Sequence, residues 1–164
     1  MTADAVRIFI DADACPVKDE IYKVAARYGL VTTVVSNSCI AIPPSTLIER
    51  VVVPAGPDVA DDWIAEHVQP GDMAITNDIP LAERVLPAGA VAIAPTGKAF
   101  TVDSIGSAIA QRALMEMLRG SGEITGGPKP FDRNDRSRFL QVLDQTASKL
   151  VRQYRPPAGG AGEG

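Results

Sequence analysis

The apolar positions of this chain fall into short unbroken runs separated by stretches of helical spacing. Ile8-Phe9-Ile10 is the first run, and it stops at Asp11. An apolar run that ends on a carboxylate predicts a buried parallel strand delivering a charge to the edge of its sheet. Pro16 then suits the first turn of a helix, where a missing N–H costs nothing. Val17, Ile21, Val24, Ala25 and Tyr28 follow at helical spacing, and Gly29 is a fitting stop. Residues 30–35 read as a second strand and 51–53 as a third, with Pro43-Pro44 in the loop between them. Asp58 stands where a helix N-cap belongs, ahead of Ala60, Trp63, Ile64 and Val68. Residues 73–76 form a fourth strand, Pro80 opens a helix through Leu81, Val85 and Leu86, and residues 90–93 form a fifth strand. A helix over 103–119, a Gly/Pro-rich loop over 121–130 and a last helix capped by Asp132 complete the pattern. Phe139, Leu140, Leu143, Leu150 and Val151 supply the apolar face of that last helix.

This order predicts a three-layer α/β fold with a mainly parallel central sheet, right-handed crossovers and additional C-terminal helices. Residues 1–155 are expected to form one domain, and 156–164 a disordered Pro/Ala/Gly tail. A length of 164 residues, 46% hydrophobic and 22% charged, suits a globular domain with a real core. No apolar run approaches the roughly 18 residues of a membrane span. The opening residues lack a basic region followed by an apolar stretch, so no secretory signal is expected. With only Cys15 and Cys39, reduced thiols in a cytoplasm are expected.

The candidate chemistry lies at the strand ends. Asp11 and Asp13 end the first strand, Asp58 follows the third, Asp61 lies one helical turn on, and Asp78 ends the fourth. A parallel sheet brings all of these to one edge, because every strand points the same way. Carboxylates crowded there repel one another unless a cation sits among them. Hard oxygen donors without Cys or His select Mg²⁺ or Mn²⁺ over zinc, and such an ion activates water and braces a phosphoryl group. Taken singly, Asp13, Asp58 and Asp78 can each be read as helix caps, and Asp61 as a first-turn acid complementing the helix dipole. Asp11 has no helix to cap.

Net charge is −4, but its distribution is uneven: residues 1–111 carry 7 Lys/Arg against 14 Asp/Glu, and residues 112–155 carry 9 against 5. Lys129, Arg133, Arg136 and Arg138, behind Gly126-Gly127-Pro128, form the candidate phosphate contact. A solvated, Arg-rich helix face is the alternative. His67 is the only histidine, so no Ser-His-Asp triad can be built. No G-x-x-x-x-G-K-[ST] or G-x-G-x-x-G occurs. Cys15, at a helix start with no base beside it in sequence, reads as a packing residue rather than a nucleophile.

Asp11-Ala-Asp-Ala-Cys-Pro16, Pro43-Pro44, Gly56-Pro-Asp-Val-Ala-Asp61, Thr76-Asn-Asp-Ile-Pro-Leu-Ala82, Thr125-Gly-Gly-Pro128 and Asp135-Arg136 followed by Phe139 resemble the bacterial YaiI/YqxD family of uncharacterised proteins. That family is similar to PIN-like nucleases, whose α/β/α domain gathers acids around Mg²⁺ or Mn²⁺ to cut RNA. The resemblance implies a PIN-like domain with Asp11, Asp58, Asp61 and Asp78 at the metal positions. On this reading Asp11, Asp13 and Asp78 are expected in catalysis, Asp13 as a supporting acid, with RNA as the favoured substrate. Asp11-x-Asp13 after an apolar strand resembles, in addition, the first motif of haloacid-dehalogenase-like phosphatases. There Asp11 would be the nucleophile, Thr76 a phosphate-binding hydroxyl and Lys98 a neutralising cation, and a late acidic pair is required. A metal- or nucleic-acid-binding module without turnover is the non-enzymatic alternative.

Overall fold

The computed structural model describes residues 6–12, 15–56, 58–120 and 131–154. Ten elements follow in order: β1 (Arg7–Asp11), α1 (Lys18–Tyr28), β2 (Val31–Ser36), β3 (Ile48–Val52), α2 (Val59–His67), β4 (Met73–Ile75), α3 (Ile79–Val85), β5 (Val91–Ile93), α4 (Val102–Gly120) and α5 (Arg133–Tyr154). The five strands form one sheet in the order β3-β2-β1-β4-β5, and every neighbouring pair is parallel. β1 lies at the centre, with Ile8, Phe9 and Ile10 paired to Thr32, Thr33 and Val34 on one side and to Met73, Ala74 and Ile75 on the other.

Alternation along the strands builds two cores. Ile8 and Ile10 join Val34, Met73 and Ile75 under α1 and α5, around the fully buried Phe139 and Leu143. Phe9, Val35, Ala74 and Ala92 face the opposite way, under Ile64 of α2, Leu81 and Val85 of α3 and Ile105 of α4. The result is the expected three-layer α/β sandwich. β3 begins three residues earlier than the sequence pattern indicates, because Glu49 and Arg50 hide its apolar character. Both are exposed, as an edge strand permits. α1 begins at Lys18 rather than at Pro16, with Val17 as its N-cap. The predicted loop over 121–130 and tail over 156–164 lie outside the described residues.

Two contacts fasten the amino edge of the sheet and the top of α5. At the amino edge, the buried Asp72 carboxylate accepts from the Arg7 backbone N–H (3.1 Å), Arg7 Nη2 (2.8 Å) and the Gln69 N–H (2.8 Å). Near the other edge, Gly97 has φ +94, and a Cβ there would stand 2.9 Å from the Arg138 and Phe139 backbone. Glycine alone combines that dihedral with so close an approach. Gly97→Ala is therefore expected to cost about 1–3 kcal/mol, read as a lower urea midpoint at unchanged slope. An unchanged midpoint would show that α5 does not press on this turn.

Candidate functional site

Strand order places a reversal at β1. The chain moves from β1 outward to β2 and β3, then returns across β1 to lay down β4 and β5. Ligands of open parallel sheets bind in the crevice outside the carboxyl ends of the strands at such a point. Asp11 is the last residue of β1, and Thr76 follows directly on β4. Thr76 is buried, and its hydroxyl donates to Asp11 Oδ2 at 3.0 Å and accepts from the Asp78 N–H at 2.9 Å. One hydroxyl thus ties the two strand ends together and sets the position of both acids.

Asp78 caps α3: its Oδ1 accepts from the Leu81 N–H at 2.9 Å, with a proline in the first turn. The helix-cap reading of Asp78 is therefore correct, and the cap turns its carboxyl toward the same crevice as Asp11. Asp58 behaves differently. It occupies the N-cap position of α2 with φ 65, yet its side chain makes no capping bond. Among the described residues it is the one non-glycine with positive φ. Asp tolerates that conformation better than most residues, and a strained backbone that does no capping is a pointer to another use.

Asp61 stands in the first turn of α2 and is half-buried. Burial, the negative charges of Asp78 and Asp11, a hydrogen bond with Asp78 and the charge of Asp58 together raise its carboxyl from 3.8 to about 7. The other three acids at the expected metal positions therefore all act on Asp61 through space. Beside them a cleft of about 190 Å³ is lined by Asp58, Asp61, Asp62, Pro80, Leu81 and Arg84. Asp62 is exposed and pairs with Arg84 at 2.5 Å. Among the described residues, no three His, Cys, Asp or Glu side chains stand close enough to form a finished cage for an ion. The acids share a field rather than a single coordination point. Asp13 lies outside the described residues.

The basic segment reaches the same edge. Arg136 donates to Pro16 O at 3.0 Å, in the loop after β1, and Arg138 donates to Thr96 O at 3.4 Å, in the loop after β5. Both arginines also have internal partners. Arg136 pairs with Glu20 at 3.1 Å and lies 5.2 Å over the Phe131 ring, and Arg138 pairs with Asp135 at 3.0 Å. They hold α5 in place first. Arg133 is exposed at the helix start, and Lys129 lies outside the described residues.

Several other residues find structural roles. Asp132 and Asp135 cap each other's backbone: the Asp132 N–H donates to Asp135 Oδ2 (3.0 Å) and the Asp135 N–H to Asp132 Oδ1 (2.9 Å). They sit at a helix start rather than behind a strand, where a phosphatase scheme needs its late acidic pair. Burial pushes the Cys15 thiol up, which suits packing and not nucleophilic attack. His67 stacks on Trp63 with ring centroids 3.8 Å apart. Lys18 has no motif to mark it, yet its Nζ donates to Cys15 O (3.0 Å) and Ala12 O (3.4 Å). A cation three residues after Cys15 was its only trace.

Fold and site together define a doubly wound α/β protein with a carboxylate-lined crevice at its switch point. The chain belongs to the uncharacterized YaiI/YqxD family, whose model matches residues 9–149. It is 64% identical over 148 residues to a UPF0178 protein of Caulobacter sp. (strain K31), covering 90% of this chain and 98% of the relative. A UPF0178 protein of Rhodopseudomonas palustris (strain TIE-1) is 55% identical over 157 residues, covering 96% and 99%. Another, from Bradyrhizobium diazoefficiens, is 54% identical over 153 residues, covering 93% and 92%. No solved structure matches the chain. Among the described residues, no helix is long and apolar enough to cross a membrane.

Two outcomes follow from this geometry. Thr76→Val removes the acceptor that pairs with the Asp78 N–H and one donor to Asp11, so it should destabilise by about 1–3 kcal/mol. Thr76→Ser should lose much less, and equal losses in urea melts would dismiss the hydroxyl bridge. The second concerns pH. An acid whose folded pKa is raised binds its proton more tightly when folded, so its contribution is full below 3.8 and lost as pH rises through about 7. Asp61→Asn removes that loss. In chelator, its gain in Tm over the native chain should be small near about pH 4 and grow toward about pH 8; a gain independent of pH would refute the crowding of charge.

Proposed function

We propose that this protein is a Mg²⁺- or Mn²⁺-dependent phosphodiesterase that cuts RNA, built on a PIN-like domain. The feature that carries the reading is the crowding of acids at the switch-point crevice, where burial first, and then the charges of Asp78, Asp11 and Asp58, push the Asp61 carboxyl up to about 7. Carboxylates bear that penalty where a cation is meant to join them, and Arg84, the cation lining the adjoining cleft, is engaged first by Asp62. The donor chemistry suits Mg²⁺ and Mn²⁺, being all hard oxygen, and the described acids would have to draw together around the ion, since no three of them form a cage.

Asp11, Asp58, Asp61 and Asp78 would hold the ion, directly or through water. When bound, the ion lowers the pKa of water and offsets charge on a phosphoryl oxygen. The chain's own residues do the rest. Thr76 keeps Asp11 turned into the crevice, and the Leu81 N–H fixes Asp78. Arg133, exposed at the start of α5, would meet a backbone phosphate. Asp13 as a supporting acid and Lys129 as a further phosphate contact are assigned on the sequence alone.

Labelled single-stranded RNA, incubated with the protein with and without Mn²⁺, tests the proposal. Cleavage should require the ion and fall in Asp11→Asn by at least about 10–100-fold, the cost of disturbing a metal shell. The ion should also stabilise the native chain by about 2.7 kcal/mol at a hundredfold excess over Kd, and the Asn variants at Asp11 and Asp78 should lose that gain. Cleavage unchanged in Asp11→Asn would reject the assignment. A thermal gain without any turnover would favour the binding-module alternative.

A further inference from the structure

The 190 Å³ cleft beside the acids has Asp58, Asp61 and Asp62 from the start of α2 on one wall, and Pro80, Leu81 and Arg84 of α3 on the other. Arg84 is the sole cation among the residues that line it. Its guanidinium interacts through space with Asp61 as well as with Asp62 and Glu66, so its charge reaches a candidate metal position. A nucleic-acid strand carries a negative charge at every linkage. Four carboxylates and one divalent ion leave the crevice negative at neutral pH, so a strand that enters needs a cation to offset the repulsion.

Arg84 is paired, but its pair differs from those of Arg136 and Arg138. The Glu20 and Asp135 side chains that hold those two are 13% and 8% exposed, so taking the arginine away would strand a shielded carboxylate. Asp62 is 53% exposed, and water replaces the guanidinium there at little cost. Only Arg84 Nη1 is engaged, with Asp62 Oδ1 at 2.5 Å. Its Nε and Nη2 donate to no acceptor among the described residues. They form one side of the planar fork that grips a phosphate with two parallel bonds. Neither Asp11 nor Asp78 lines this cleft, so a phosphate held by Arg84 lies to one side of the crevice between β1 and β4.

We propose that Arg84 binds the substrate phosphate next to the one being cut, and that Asp62 positions the guanidinium until a strand displaces it. The substrate is then a strand with at least two phosphodiesters, and it passes over the α2–α3 side of the crevice. This inference rests on the phosphodiesterase reading above and adds to it the residue that grips the strand.

Two assays with one labelled single-stranded RNA keep the inference apart from the reading it rests on. Binding is followed by fluorescence anisotropy with Ca²⁺, which takes the same oxygen donors, and cleavage is followed with Mn²⁺. Arg84→Gln should weaken binding about tenfold, the loss of a charged hydrogen bond, and flatten its salt dependence by about 0.7 in slope. In cleavage, KM should rise by the same factor at unchanged kcat. Asp62→Asn should tighten binding, and that gain should vanish in the Arg84→Gln background. On bis(p-nitrophenyl) phosphate, which has no second phosphate, Arg84→Gln should have no effect. Both variants should keep the native Tm and its rise with Mn²⁺, because the pair is exposed. Binding indifferent to Arg84 overturns the inference whether or not RNA is cut, and a native chain that neither binds nor cuts RNA overturns both readings. Binding that needs Arg84 without cleavage in Mn²⁺ upholds the phosphate contact and rejects the phosphodiesterase. An equal loss on bis(p-nitrophenyl) phosphate overturns the flanking position, and an Asp62→Asn gain that persists without Arg84 overturns the role of Asp62.

Discussion

The pairing of β1 with β4 is the constraint on which the rest of this molecule depends. These strands are far apart in sequence, and their adjacency exists because the chain reverses direction across β1. Buried apolar residues on both faces enforce it: Ile8, Ile10, Met73 and Ile75 below, Phe9 and Ala74 above. Slipping β4 by one residue would exchange those faces and expose the core. The same register carries Asp11 and Thr76 to one edge, so hydrophobic packing dictates where the charges meet. Repulsion among the acids works against folding, and the two cores supply the offset.

The architecture was legible in the sequence because its strong signals are local. Unbroken apolar runs, Pro16 and Pro80 near helix starts, and Gly29 at a helix stop each have a physical reason that acts within a few residues. β3 was clipped because Glu49 and Arg50 obey the looser rules of an edge strand. For the candidate site, the convergence of Asp11, Asp58, Asp61 and Asp78 could be read from strand ends, since parallel strands share one carboxyl edge. What could not be read is which acids also cap helices. Asp78 does and Asp58 does not, and that depends on the sign of φ at Asp58, which no residue pattern announces.

The arginines mark the other limit of sequence reading. Arg136 and Arg138 look available for an anion when only composition is in view. In three dimensions each is already engaged, Arg136 by Glu20 and the Phe131 ring, and Arg138 by Asp135 of its own helix and the Thr96 carbonyl. Their first contribution is to seat α5 against the loops that border the crevice. Thr76 shows the converse. As a lone residue after a strand it suggested a phosphate ligand, yet its bonds are spent on aligning Asp11 and Asp78.

The Arg7–Asp72 clasp at the far end of the same two strands separates two liabilities that many small proteins cannot keep apart. Because β1 and β4 are held at their amino ends by a buried carboxylate with several donors, the crevice at their other ends is not the only thing keeping them aligned. Chemistry at the crevice can therefore be altered, acid by acid, while the scaffold persists. A lineage could retune or silence this pocket and still inherit a protein that folds.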